Sequence, residues 1–203
     1  MMSTSSIGIG RGVCEAAFAS QTPYVECCLI HGTGQTIITG SMTPAVQEEV
    51  TLATAWARLY VDSIKTALAL GGLRVTLPLP PNRDLFINLS PGSSAWWKDR
   101  LLGGAICVGL VSLMTGLHPK PDVAIVGTLH GSSNVLGEVI INSNQSQPLW
   151  RSLSGIQGIR QVIVGKGAVL ERTYHEAGLN GVDITRADSL TSALSHVFQI
   201  LTP

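Results

Sequence analysis

The sequence predicts a mixed α/β fold of packed α+β layers. Two observations predict it. Short extended stretches rich in β-branched residues recur along the chain, and between them the apolar spacing switches from alternation to a period of three or four. The resulting order is hairpin, helix, strands, helix, strand, helix, strand, helix. That order fits segregated layers better than a doubly wound parallel sheet.

The expected strands are Tyr24 to Ile30, Thr36 to Thr39, Leu73 to Leu79, Asp84 to Leu89, Asp122 to Val126 and Arg160 to Val164. Gly32 and Gly34 supply the turn that would make the first two a hairpin. After Ser41 the pattern changes: Val46, Val50, Ala53, Ala57, Tyr60, Ile64 and Leu68 fall on one face of a long helix. Thr43 is its N-cap, Pro44 suits its first turn, and Gly71 with Gly72 stops it. A second helix is expected from Asp99 to Thr115, ended by Gly116 and Pro119. Being apolar all round, it should be the central helix. A short helix is expected over Leu149 to Ile156, and a last one over Ser189 to Leu201, capped by Asp188 or Ser189. The polar stretch Asn142 to Gln147 reads as an exposed loop.

Length and composition bound the function. With 203 residues, 45% of them hydrophobic and no composition break, residues 1–203 are read as one domain. Residues 1–12 are read as a flexible amino-terminal segment. Thirteen basic residues balance 13 acidic ones, and only 13% of the chain is charged, so nothing marks a polyanionic partner. No nucleic acid is expected. The apolar run Leu101 to Met114 falls short of the roughly 20 residues a bilayer span needs, so no membrane is expected either. The four cysteines, Cys14, Cys27, Cys28 and Cys107, match neither a zinc ligand set nor a disulfide framework. With no signal or transit peptide visible, this points to a reducing intracellular compartment, cytoplasmic or nuclear.

Several local patterns carry little chemistry. Gly8, Gly10 and Gly12 form a glycine string with no strand before it and no clear helix after it, which disfavours a phosphate loop. His31, His118, His130, His175 and His196 stand at no metal-ligand spacing, so no metal and no cofactor are expected. Trp96 and Trp97 lie together in a Ser/Gly-rich loop. They either cap the core or, with Lys98 and Trp150, mark a partner surface.

Three ordered segments resemble the proteolytic domain of the Lon protease family, whose fold is akin to the second domain of ribosomal protein S5. Gly32-Thr-Gly-Gln-Thr-Ile-Ile-Thr-Gly-Ser-Met42, with the helix after it, is similar to the family's glycine hairpin, its Thr-Gly-Ser turn and its first long helix. Lys98-Asp99, leading through Gly103-Gly104 to Gly116 and Pro121-Asp122-Val-Ala-Ile-Val-Gly127, resembles the nucleophile segment. Gly137-Glu-Val139, with Gly158-Ile-Arg-Gln-Val-Ile-Val164, resembles the lysine segment.

The resemblance implies a serine endopeptidase in which a neutral lysine takes the proton of a serine at the amino end of the central helix. In the family, Lys-Asp-Gly-Pro is followed by that serine and then by Ala-Gly. Here the serine position is Leu102, and no serine, threonine or cysteine lies between Ser94 and Cys107. The lysine position falls on Pro148 counted from Gly137, or on Trp150 counted from Gly158. No lysine lies between Lys120 and Lys166. The acidic residue that follows the family's Val-x-x-Gly strand is also absent, since Thr128 follows Gly127.

The resemblance therefore implies an inactive member, a pseudoprotease kept as a scaffold. It would bind a protein partner, join a homo-oligomer, or hold an extended peptide by strand addition. One alternative is an ATP-independent endopeptidase with a displaced nucleophile at Ser93, Ser94 or Cys107. A third is an S5-like domain that contacts RNA or the ribosome, against which the neutral charge counts.

Overall fold

Thr43 starts the longest helix. The computed structural model describes residues 7–11, 24–40, 43–73, 75, 79–90, 102–130, 133–136, 159–166 and 182–198. In it, α1 runs Pro44–Leu70, and the Thr43 hydroxyl accepts from the Val46 N–H at 3.3 Å. This satisfies one of the amide donors that a helix start leaves open. The helix stops at Gly71, and Gly72 takes a φ of 78°, a left-handed conformation that glycine adopts without steric cost. The expected apolar stripe is the buried one, from Val46 and Val50 through Ala57 to Leu68.

Among the described residues, four strands form the larger sheet: β1 (Ile7–Arg11), β2 (Tyr24–His31), β3 (Thr36–Thr39) and β4 (Arg83–Ser90), in the order β1-β2-β4-β3. Two expectations change here. The segment expected to be flexible contains strand β1, which pairs antiparallel with β2. The expected hairpin is split, because β4 lies between β2 and β3, antiparallel to the first and parallel to the second.

The reason lies at Asp84, near the start of β4. Its Oδ1 accepts the N–H groups of Thr33, Gly34 and Gln35 at 2.7, 2.9 and 2.9 Å. The 32–35 turn thus closes around a carboxylate from a distant strand. Gly32 is required there, since a Cβ would overlap that carboxylate. The Leu85 N–H then donates to the Gln35 carbonyl at 2.8 Å, so β4 is seated between the two arms.

Helix α2 spans Gly103–Thr115, and all of its residues are buried. It starts later than the expected Asp99: Leu102 is the cap, and the Ile106 N–H donates to the Leu102 carbonyl at 2.9 Å. Gly116 ends it in the left-handed conformation. From there the chain enters β5 (Val123–Val126), which pairs parallel with β8 (Gln161–Gly165), itself parallel to β9 (Asp183–Ala187). Val162, Ile163 and Val164 are buried in the middle strand, the apolar run expected of a strand covered on both faces. A two-stranded ribbon, β6 (Leu129–His130) with β7 (Ser133–Leu136), follows β5.

Helix α3 spans Leu190–Val197, with the Ser189 hydroxyl accepting from the Ser192 N–H at 3.0 Å. It stops short of the expected Leu201 because Phe198 turns extended and bridges to Pro119. The expected strand from Leu73 to Leu79 is not seen at its described residues Leu73, Val75 and Leu79. Val75 and Leu79 instead pack on the core, so at these two positions the apolar signal reports burial. The expected helix Leu149 to Ile156 lies outside the described residues.

The Asp84 turn makes the first prediction. The Gln35 and Thr33 N–H groups hold the Asp84 carboxyl below its ordinary pKa, helped by Gly34 and His31. A lowered folded-state pKa means that the carboxylate's contribution is complete above the unfolded range and is lost as pH falls through the folded value. The melting-temperature gap between the native chain and Asp84→Asn should therefore be widest at neutral pH and narrow on acidification. A gap independent of pH would contradict this. Gly32→Ala should cost about 1–3 kcal/mol in urea unfolding at neutral pH, as overpacking does.

Candidate functional site at the amino end of the central helix

The amino end of a helix concentrates unpaired N–H groups and partial positive charge. It is also where the resemblance places the reacting group. At the start of α2 the cap residue is Leu102, which makes no capping hydrogen bond and is 2% exposed. Its side chain belongs to the main apolar cluster, alongside Ile106 and Leu129. No hydroxyl is presented at this position.

Three separate segments meet at this end. The Gly104 N–H donates to the Gly127 carbonyl at 3.3 Å, which ties the first turn of α2 to the residue after β5. Leu129 at the start of β6 donates its N–H to Glu49 Oε2 at 3.3 Å. Glu49 reaches in from α1 and is 3% exposed. Its carboxylate lies against Gly103, where a Cβ would overlap Oε2 and come within 2.6 Å of the Leu129 Cγ. A carboxylate beside a helix amino end is electrostatically well placed.

Glu49 was not singled out in the sequence. Its signal is positional: it stands three residues after Val46 and four before Ala53, inside the buried stripe of α1.

The chain belongs to the Lon protease proteolytic domain family. Residues 1–141 match the family model of the Lon protease (S16) C-terminal proteolytic domain. The peroxisomal Lon protease homolog 2 of Arabidopsis thaliana is 30% identical over 130 residues, 63% of this chain and 14% of that protein. Lon protease of Rhizobium meliloti (strain 1021) is 24% identical over 159 residues, 78% of this chain and 18% of that protein. The Azospirillum brasilense Lon protease is 25% identical over 194 residues, 94% of this chain and 22% of that protein. The chain thus spans less than a quarter of the length of these curated relatives.

On this Lon-type scaffold, the described residues bring Leu102 and Cys107 onto the same helix. Cys107 is 0% exposed, and burial pushes its thiol up to about 12. Tyr60, beside it, is pushed up to about 12 as well, by burial first and by Cys107 second. Cys27 is raised likewise, by burial ahead of its thiol neighbours Cys28 and Cys107. The thiolate is the reactive form of cysteine, so this environment holds Cys107 inert at neutral pH.

The other candidates, Ser93, Ser94, Trp96, Trp97, Lys98, Pro148 and Trp150, lie outside the described residues. Among the described residues, no group of three or more His, Cys, Asp or Glu is placed to hold a metal ion. No helix among them is long and apolar enough to cross a membrane.

Site-resolved maleimide labelling of the native chain, read by mass spectrometry, should modify the half-buried Cys28 well before Cys27 or Cys107. Cys107 should react only after unfolding. Native-state labelling of Cys107 at the rate of Cys28 would contradict the burial described here.

Proposed function

We propose that this Lon-type domain lacks the catalytic dyad and acts as a protein-binding or assembly scaffold. The observation that carries the reading is Leu102, a 2% exposed hydrocarbon side chain at the cap of α2. Acyl transfer needs a nucleophile at that point with donors free to hold an oxyanion. The sequence offers no hydroxyl or thiol from Ala95 to Ile106 and no lysine from Pro121 to Gly165. Losing either partner alone removes most of such a mechanism. The Gly104 N–H is already engaged by the Gly127 carbonyl, which also supports the reading.

A binding role is supported by what the surface retains. Charge is sparse, and Leu59, 60% exposed on α1, borders an open groove of about 180 Å³ shared with Trp56, Tyr60 and Leu194. Apolar concavities with aromatic walls are common where protein partners attach. Trp96, Trp97, Lys98 and Trp150 extend this proposal to the sequence segments that precede α2 and β8. An extended peptide held by strand addition is a further mode open to such a scaffold, since it draws on backbone hydrogen bonds and needs no dyad.

The competing reading is an endopeptidase with a displaced nucleophile. Cys107 is a poor choice for its burial and raised thiol pKa, which leaves Ser93 and Ser94. The purified chain should show no labelling by fluorophosphonate or peptidyl boronate probes and no turnover of unfolded casein. It should also elute from size exclusion as an oligomer or be retained by a specific protein partner. Casein cleavage abolished by Ser93→Ala, Ser94→Ala or Cys107→Ala would overturn the proposal.

A further inference from the structure

The carboxylate of Glu49 stands where a helix of this pattern places an apolar side chain. Burying a carboxylate is costly unless its surroundings answer it, so its position calls for a physical reason. Oε2 accepts the Leu129 N–H at 3.3 Å. The same oxygen fills the space that a Cβ on Gly103 would take, with Glu49 Cδ 3.1 Å and Leu129 Cγ 2.6 Å from that point. The next amide along, Gly104 N–H, is bound to the Gly127 carbonyl at 3.3 Å. Both the room and a donor at the amino end of α2 are therefore taken by groups of the protein itself.

We infer that Glu49 and Gly103 form a coupled pair that closes the amino end of α2. The internal carboxylate occupies the positive end of the helix, where a reacting oxyanion would have to sit. Gly103 is glycine because that carboxylate leaves no space for a side chain. The pair is a lock separate from the leucine at 102, and it implies that placing a serine at 102 would not by itself reopen the site. This inference rests on reading the amino end of α2 as the former catalytic end.

A double-mutant cycle on the full chain tests it, comparing the native protein with Glu49→Ala, Gly103→Ala and the double variant by thermal unfolding. Gly103→Ala should lower the melting temperature at least about 3 °C further in the native background than in the Glu49→Ala background. Some cost should remain in both, because Leu129 also faces that Cβ. Equal shifts in the two backgrounds would overturn the inference. If Gly103→Ala does not fold, folding of the double variant is the same positive result. If neither folds, hydrogen exchange decides: loss of Leu129 amide protection in Glu49→Ala supports the lock, and unchanged protection overturns it. Casein cleavage by the native chain would sink the inactive reading while leaving the coupling intact, so the two failures are distinguishable.

Discussion

Helix α2 has no face for water. Every residue from Gly103 to Thr115 is buried, so α1, β1, β2, β5 and α3 must all pack against it. Its termini cannot rely on solvent either. At the carboxyl end the Gly116 N–H returns to the Ser112 carbonyl, the Ser112 hydroxyl donates to the Leu117 carbonyl at 2.7 Å, and the Thr115 hydroxyl donates to the Val111 carbonyl at 2.7 Å. At the amino end, the Gly104 N–H donates to the Gly127 carbonyl, and the Glu49 carboxylate, which accepts the Leu129 N–H, lies against Gly103. Buried polar groups in native proteins are almost always satisfied in this way, and here satisfying them fixes how α1, β5 and β6 approach the helix.

Membership in the Lon proteolytic-domain family and the chemistry at α2 are separable matters. A fold carries function only through the groups it presents at a site. The layers, the capped α1 and the central helix are the scaffold of the family, whereas Leu102 at the cap is hydrocarbon. On the proposed reading, selection has kept the packing problem solved and let the reaction go. The leucine at the cap adds to the apolar cluster, whereas a reacting hydroxyl would have to stay open to substrate, so core stability and such chemistry make opposite demands on one position.

What the sequence made legible was local. The Thr43 cap, the apolar stripe of α1, the Gly71 and Gly116 stops and the Ser189 cap were all readable because each depends on residues within a turn or two. What it hid was long-range. Asp84 gathers N–H groups 49 to 51 residues away, and no local pattern announces that a third strand will enter the mouth of a glycine turn. Strand β1 hid behind its alternating glycines, which weaken strand preference. Phe198 keeps the apolar helical spacing yet ends α3, because Pro119 offers it a bridge. At the helix start, the buried Glu49 was not legible, since one of two adjacent glutamates faces inward only once α2 lies beneath it.

The central claim is that position 102 is core and not an open cleft. Leu102→Ser tests it most directly, with urea unfolding and fluorophosphonate labelling measured on the same protein. A buried leucine replaced by a small polar residue should cost about 2–5 kcal/mol, and the new serine should remain unlabelled. A variant as stable as the native chain, or one whose serine reacts with the probe, would contradict the account.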